Sequence, residues 1–484
     1  MTRSVRDGGG WAWRVFLTCW LVYSVFWSPY LVREHFPALA LAESGSLDME
    51  RYLGWSDDIF RGPSGRAYIN NNPGASFTAA GPLFLFRPLL TRVDNWNRRL
   101  PRPPRHDDGD LFWRTYSEGR AFYFLLVEFL TVATVMAPLT AATAAYLCVR
   151  LTEAGVARAY SAAMALLYAL GTPVFFRAAY LNHNLLVCDA GLVALLLLWD
   201  KNARPLPMRR VVLAGLLGGY ALLCDYSGAV VVVVVALYVW LRSAGQPAKL
   251  RWRVLAACAC GVVPGVAALL LYQAWAFGAP YLPSQHFMPP TSPTSHGYRG
   301  FDWPSPALAW ANFFDPRFGI FAYCPALLLA FAAPFIKRVR HPMPRREMGL
   351  LWAYFGLFVL FCAANQYSWL QPSTGFRYLV PIVPALTLLA MHASQSLPGP
   401  VRWGVAGLSC VQSLVVAAAH RNDVRDALST IWQRHGELLW MIRLRDAGAP
   451  IGPMFALATF SLLILACASI WLIPGLRKAG ASSG

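Results

Sequence analysis

VVLAGLLGGYALLCDYSGAVVVVVVALYVWL, residues 211–241, is an apolar run about twice as long as one bilayer-crossing helix needs. Cys224-Asp225-Tyr226-Ser227-Gly228 interrupts it near the middle. Charge decides whether it is one helix or two. Two crossings return Arg242, Lys249, Arg251 and Arg253 to the side of Arg209 and Arg210, together with Lys337, Arg338, Arg340, Arg345 and Arg346. One crossing would put those clusters on opposite sides. Because basic residues stay with the cytoplasmic face, the reading is two short helices with Asp225 at an outer turn.

Working outward, the rest of the chain is of the same kind. Of its 484 residues 57% are hydrophobic and only 14% are charged, too apolar for a soluble protein of this length. The apolar runs lack the period-two alternation of a membrane β-barrel. Expected spans are 11–32, 121–148, 160–176, 183–199, two within 211–241, 254–277, 320–336, 349–364, 378–392, 401–419 and 453–474. The fold class is therefore an all-α polytopic membrane protein with about twelve transmembrane helices and both termini cytoplasmic. It forms a single integral membrane domain, 1–484. Residues 33–120 make a long outer loop after the first span, and 121–484 make the remaining bundle. The net charge of +18 sits mainly in short loops, where it sets topology rather than marking nucleic acid. The ten cysteines show neither metal spacing nor a disulfide framework.

A polar loop this long in so apolar a chain points to function. Its heart is residues 47–76, LDMERYLGWSDDIFRGPSGRAYINNNPGAS. Beyond it, Phe77 to Leu90 is apolar but too short to cross, and reads as a helix lying on the bilayer. Residues 91–120, with LPRPPRHDDGD, read as irregular and solvated. An outward-facing site has no access to cytoplasmic nucleotides, and no Walker or dinucleotide motif is present. A transferase there needs an activated donor delivered by the membrane, and a sugar on a polyprenyl phosphate fits. Its chemistry requires a carboxylate to take the acceptor's proton and cations to hold the departing phosphate. Asp48, with Glu50 in support, is the candidate base. Arg51, Arg66, Arg317 and Arg377 are candidate phosphate ligands. Asp57 and Asp58 are further loop acids, Tyr52 an aromatic neighbour, and His183 a substrate contact or proton shuttle. Glu128, Asp189 and Asp225 are acids within or between spans, where charge is costly.

Motif order adds a resemblance. Asp48-Met49-Glu50-Arg51-Tyr52, Asn71-Asn72-Pro73-Gly74 and the helix at 77–90 resemble, in sequence, the opening loop of the C-type glycosyltransferases (GT-C). That class includes the protein O-mannosyltransferases and the aminoarabinose transferase of lipid A. Leu170-Gly171-Thr172-Pro173, Asn182-His183-Asn184, Asp315-Pro316-Arg317-Phe318-Gly319-Ile320-Phe321 and Gly375-Phe376-Arg377-Tyr378-Leu379-Val380-Pro381 resemble motifs of uncharacterised bacterial members. The resemblance implies a GT-C fold and an inverting glycosyltransferase at the outer, periplasmic side of the cytoplasmic membrane. It further implies a polyprenyl-phosphate sugar donor and a glycan, lipid or protein acceptor. No cofactor is required, although the acids could hold a divalent cation. Where relatives carry a basic residue in the turn, this chain has Asn72, so an Arg must take over any phosphate contact made there. The rival reading is a lipid-linked saccharide transporter or flippase. That class calls for charge through the bilayer interior and two related halves, neither of which is evident.

Overall fold

The computed structural model describes residues 2–102, 110–200, 205–337, 339–370, 377–420 and 426–480. Arg338, Gly375, Phe376 and part of the Pro-Arg stretch at 100–110 lie outside them. The chain is helical almost throughout. Five helices among the described residues are long and apolar enough to cross a membrane: Ala121–Glu153, Ala248–Phe277, Arg345–Ala364, Gly399–Ala419 and Met454–Leu472. This is a helical membrane protein.

The chain opens with α1 (Thr2–Val25), and the following α2 (His35–Ser44) is almost wholly buried. The apolar run at 11–32 does not stay helical to its end. The helix stops at Val25, and residues 26–34, which include Pro29, run irregularly to α2. A two-stranded antiparallel hairpin follows, β1 (Ile59–Arg61) with β2 (Ala67–Ile69), pairing Phe60 with Tyr68. Next comes α3 (Gly74–Leu85), with Ala75, Ser76, Ala79 and Leu83 buried. Phe84 and Leu85 on its far side are exposed, the two-faced character expected of an interfacial helix. Residues 91–102 and 110–120 are more ordered than their composition predicts. They hold most of α4 (Arg87–Asn97) and all of α5 (Leu111–Ser117), the latter capped by Asp110, whose carboxylate accepts from Phe112 N–H.

The long helix α6 (Ala121–Glu153) widens to a π turn at Val132–Met136, where Trp20 Nε1 donates to Ala133 O at 2.9 Å. Then come α7 (Arg158–Leu170), α8 (His183–Leu198), α9 (Met208–Cys224), α10 (Gly228–Arg242) and α11 (Ala248–Phe277). The run at 211–241 is thus two helices with Asp225 between them. The reversal is tight: a Cβ on Gly228 would lie 2.2 Å from the carbonyl carbon of Ala221. Helix α9 packs on α11 through interleaved glycines. A Cβ at Gly219 would lie 2.5 Å from Val262 O, and one at Gly265 would lie 2.2 Å from Gly219 O. Small residues at four-residue spacing let the two backbones meet in an environment with no hydrophobic drive between helices.

Three further expected spans come out differently. The span 160–176 is helical only to Leu170, and Val174–Arg177 forms a separate short turn. Residues 320–336 are not one α-helix but a short turn followed by a 3₁₀ stretch, Pro325–Phe335, containing Pro334. Residues 378–392 enter through a 3₁₀ turn at Val380–Ile382 before an α-helix begins at Val383, with Pro381 two residues before its start and Pro384 one after.

Candidate functional site

The site is built where the chain leaves α1. Glu34 starts α2, His183 starts α8, and Asp225 ends α9, so three helix termini meet. Asn182 holds the first turn of α8 in place by accepting from Leu185 N–H at 3.0 Å. The 70–72 asparagine run fixes the outer loop against this junction. Asn71 Nδ2 donates to Glu34 Oε1 at 2.6 Å, Asn70 Nδ2 to Asp58 Oδ1 at 2.7 Å, and Asn72 Nδ2 to Leu222 O at 2.8 Å. Gly74 completes the docking, since a Cβ there would lie 2.7 Å from Cys224 N.

Glu34 is 2% exposed, yet carries a carboxylate. His183 Nδ1 faces Glu34 Oε1 at 2.7 Å, and Arg33 Nε faces the same oxygen at 3.4 Å. Burial alone would push this carboxyl up. The charge and hydrogen bond of His183, then the charge of Arg33, outweigh burial and hold it well below the usual carboxylate range. Arg33 also donates to Asp58 Oδ2 at 2.7 Å. For its guanidinium, burial works against the charge, but Asp58 and Glu34 more than offset it and the pKa rises.

Two cavities flank this cluster. The larger, about 1330 Å³, is walled by Arg33, Glu34, Asp57, Asp58, His183 and Arg377 among others. The smaller, about 520 Å³, has Asp225 on its wall and apolar side chains from α9 and α11, Leu222, Val266, Leu269 and Leu270. Arg33, His183 and Tyr367 line both and form the partition. Such a site suits a ligand with an apolar tail and an anionic centre, the anion at the guanidinium. Among the described residues no group of three or more His, Cys, Asp or Glu side chains is placed to hold a metal ion.

Of the residues singled out from sequence, Asp57, Asp58, Glu128, His183 and Arg377 line the larger cavity and Asp225 the smaller. Arg377 also donates to Tyr378 Oη at 2.9 Å. Asp48 lines neither cavity. Its Oδ1 accepts from Glu50 N–H at 3.1 Å and Ala67 N–H at 3.3 Å, tying the loop to β2. Glu50 is exposed and ion-paired with Arg61, and Arg51 is exposed and paired with Glu43. Tyr52 is buried between the rings of Phe36 and Trp55. Arg66 is exposed on the hairpin, and Arg317 pairs with Asp315 at 2.9 Å two residues away. Asn72 is a brace. Sequence reading passed over Arg33, Glu34, Asn70 and Asn71 as functional groups. The available signal was an acid directly beyond the first span, where a carboxylate next to lipid needs a reason.

No family model, curated protein or solved structure matches the chain.

Proposed function

We propose that this chain is an inverting glycosyltransferase of the GT-C type with about twelve spans, moving a sugar from a polyprenyl phosphate to an acceptor at the outer face of the cytoplasmic membrane. The observation that carries the reading is the pair of cavities meeting at Arg33 and His183, one roomy with charged side chains among its apolar ones, the other smaller and mainly apolar. The polyprenyl tail occupies the smaller cavity and the acceptor enters the larger. Arg33, with Arg377, meets the phosphate between them and takes the part of the basic residue missing at Asn72. Glu34 is the base. Among the described residues its side-chain neighbours, Asn71, Arg33 and His183, all engage Oε1, which leaves Oε2 for the acceptor. Attack by the acceptor oxygen on the anomeric carbon, opposite the departing phosphate, inverts the configuration.

The test is transfer by the full chain in lipid nanodiscs. It is supplied with a panel of polyprenyl-phosphate hexoses and pentoses, and with membrane extract as acceptor. Transfer from one donor, lost in Arg33→Ala, is the expected result. Movement of intact lipid-linked sugar across the bilayer without transfer would favour a transporter instead.

A further inference from the structure

We propose that His183, together with Asp225, forms a proton relay through the partition between the two cavities. The inference rests on the glycosyltransferase reading and goes beyond its base and its donor.

The geometry is a line. Glu34 belongs to the wall of the larger cavity, Asp225 to that of the smaller, and His183 to both. His183 Nδ1 is 2.7 Å from Glu34 Oε1, and Nε2 is 3.6 Å from Asp225 Oδ2. The imidazole is therefore strung between two carboxylates, its two nitrogens facing different chambers. Asp225 is itself held by Ser227 N–H, which donates to its Oδ1 at 2.8 Å and leaves Oδ2 towards the ring. The charged or titratable groups beside this line include Arg33 and, through it, Asp58 and Tyr378, with Cys224, Tyr226 and Cys362 around Asp225.

Asn184 supplies an independent observation. Its Nδ2 lies 3.1 Å from His183 Nε2, while its buried Oδ1 has no hydrogen-bond partner. Donating from Nδ2, the amide serves a ring whose Nε2 is bare. Turned about its last torsion, it offers Oδ1 to a ring whose Nε2 carries a proton. One side chain can therefore accompany the imidazole through both protonation states.

The step balances as follows. The acceptor oxygen forms a bond to the anomeric carbon as the bond from that carbon to the phosphate oxygen breaks, its electron pair leaving with the phosphate. Glu34 Oε2 takes the acceptor's proton. His183, carrying protons on both nitrogens, gives the one on Nε2 to Asp225 Oδ2, which hands it to the leaving phosphate and ends, as it began, an anion. The Glu34–His183 pair begins as anion and cation and ends as two neutral groups, so no net charge builds up in a buried place. Water then resets the pair, taking the Glu34 proton in the larger cavity and returning one to Nε2 from the smaller.

The experiment uses the full chain in nanodiscs with the same donor panel, comparing wild type with His183→Ala, His183→Gln and Asp225→Asn. Loss of a proton-transfer group should lower kcat by about 10²–10⁴-fold in His183→Ala, with donor KM changed far less. Free imidazole should restore at least tenfold of the lost rate, which a purely structural role would not allow. Asp225→Asn should lower kcat less and shrink the solvent isotope effect. Wild-type kcat in His183→Gln, or a stable His183→Ala that imidazole does not rescue, overturns the relay. Should wild type transfer nothing from any donor, the glycosyltransferase reading fails by itself. The relay is then judged on a downfield imidazole N–H proton resonance, expected in wild type and absent in Glu34→Gln; no such resonance in wild type overturns it.

Discussion

Asp48 and Glu34 show how two acids in one loop differ by their partners. Asp48 spends an oxygen on two backbone N–H groups of its own loop. Glu34 is buried at a cavity wall with every side-chain neighbour on one oxygen. An amide at position 48 can still accept through its oxygen. Asp48→Asn should therefore retain transfer within about threefold and lose no more than about 1 kcal/mol of stability, the worth of one ordinary hydrogen bond. Transfer rate and thermal melting of the purified variant check this together. Asp58→Asn is expected to act differently, since it frees Arg33 from its partner at 2.7 Å. Donor KM should rise in that variant more than kcat falls, as measured by donor titration. Exposed pairs such as Arg61 with Glu50 lie in water on both sides, and Glu50→Gln should be silent in the same assays.

At the scale of elements, the α9–α11 contact and the buried α2 each carry a prediction. Gly265 sits where a Cβ would lie 2.2 Å from a backbone oxygen, which cannot swing away. Gly265→Leu should force the helices apart and destabilise by about 1–3 kcal/mol or more, seen as a lower melting temperature in detergent. It should disturb the smaller cavity before the larger one, because α9 and α11 line the former. His35, at the start of α2, is buried to 1% exposure, and burial brings its pKa down to about 4. The unfolded chain binds this proton near pH 6.5, the folded chain near 4, so stability is present above 6.5 and falls as pH drops through that window. The loss is on the order of 3 kcal/mol by pH 4, and melting temperature should decline over that range less steeply in His35→Gln. The two helices flanking Asp225 were legible because charge bias counts crossings without needing contacts. The 3₁₀ stretch at Pro325–Phe335 was not, because hydropathy measures where a segment lies and is blind to how proline bends it. Residues 91–97 and 111–117 read as irregular by composition, yet the first continue the helix begun at Arg87 and the second are capped by Asp110.

For the molecule as a whole, the organising feature is convergence. The loop after α1, the start of α8 and the turn after α9 are far apart in sequence but form one partition. Composition could indicate a membrane and charge could indicate sides, so His183 and Asp225 were expected at outer helix ends. Their meeting, and that of His183 with Glu34, depends on which helices pack together, and that has no local signature. If these ends share the outer face, a membrane-impermeant thiol reagent should reach a cysteine placed at exposed Ser64 from outside. It should fail at one placed at exposed Ala244, between α10 and α11. Labelling of Ser64→Cys only after the membrane is permeabilised would turn the protein over and remove the outward-facing site.

The most direct test of the central claim is the rate of sugar transfer by Glu34→Gln against wild type, with the full chain in nanodiscs and the donor that wild type uses. Gln keeps the size of the side chain and can still meet His183 through its oxygen, but it cannot take up a proton. The account predicts wild-type transfer, with a fall of about 10²–10⁴-fold in the variant at similar melting temperature and donor KM. Undiminished transfer by Glu34→Gln would contradict it and place the chemistry away from the partition.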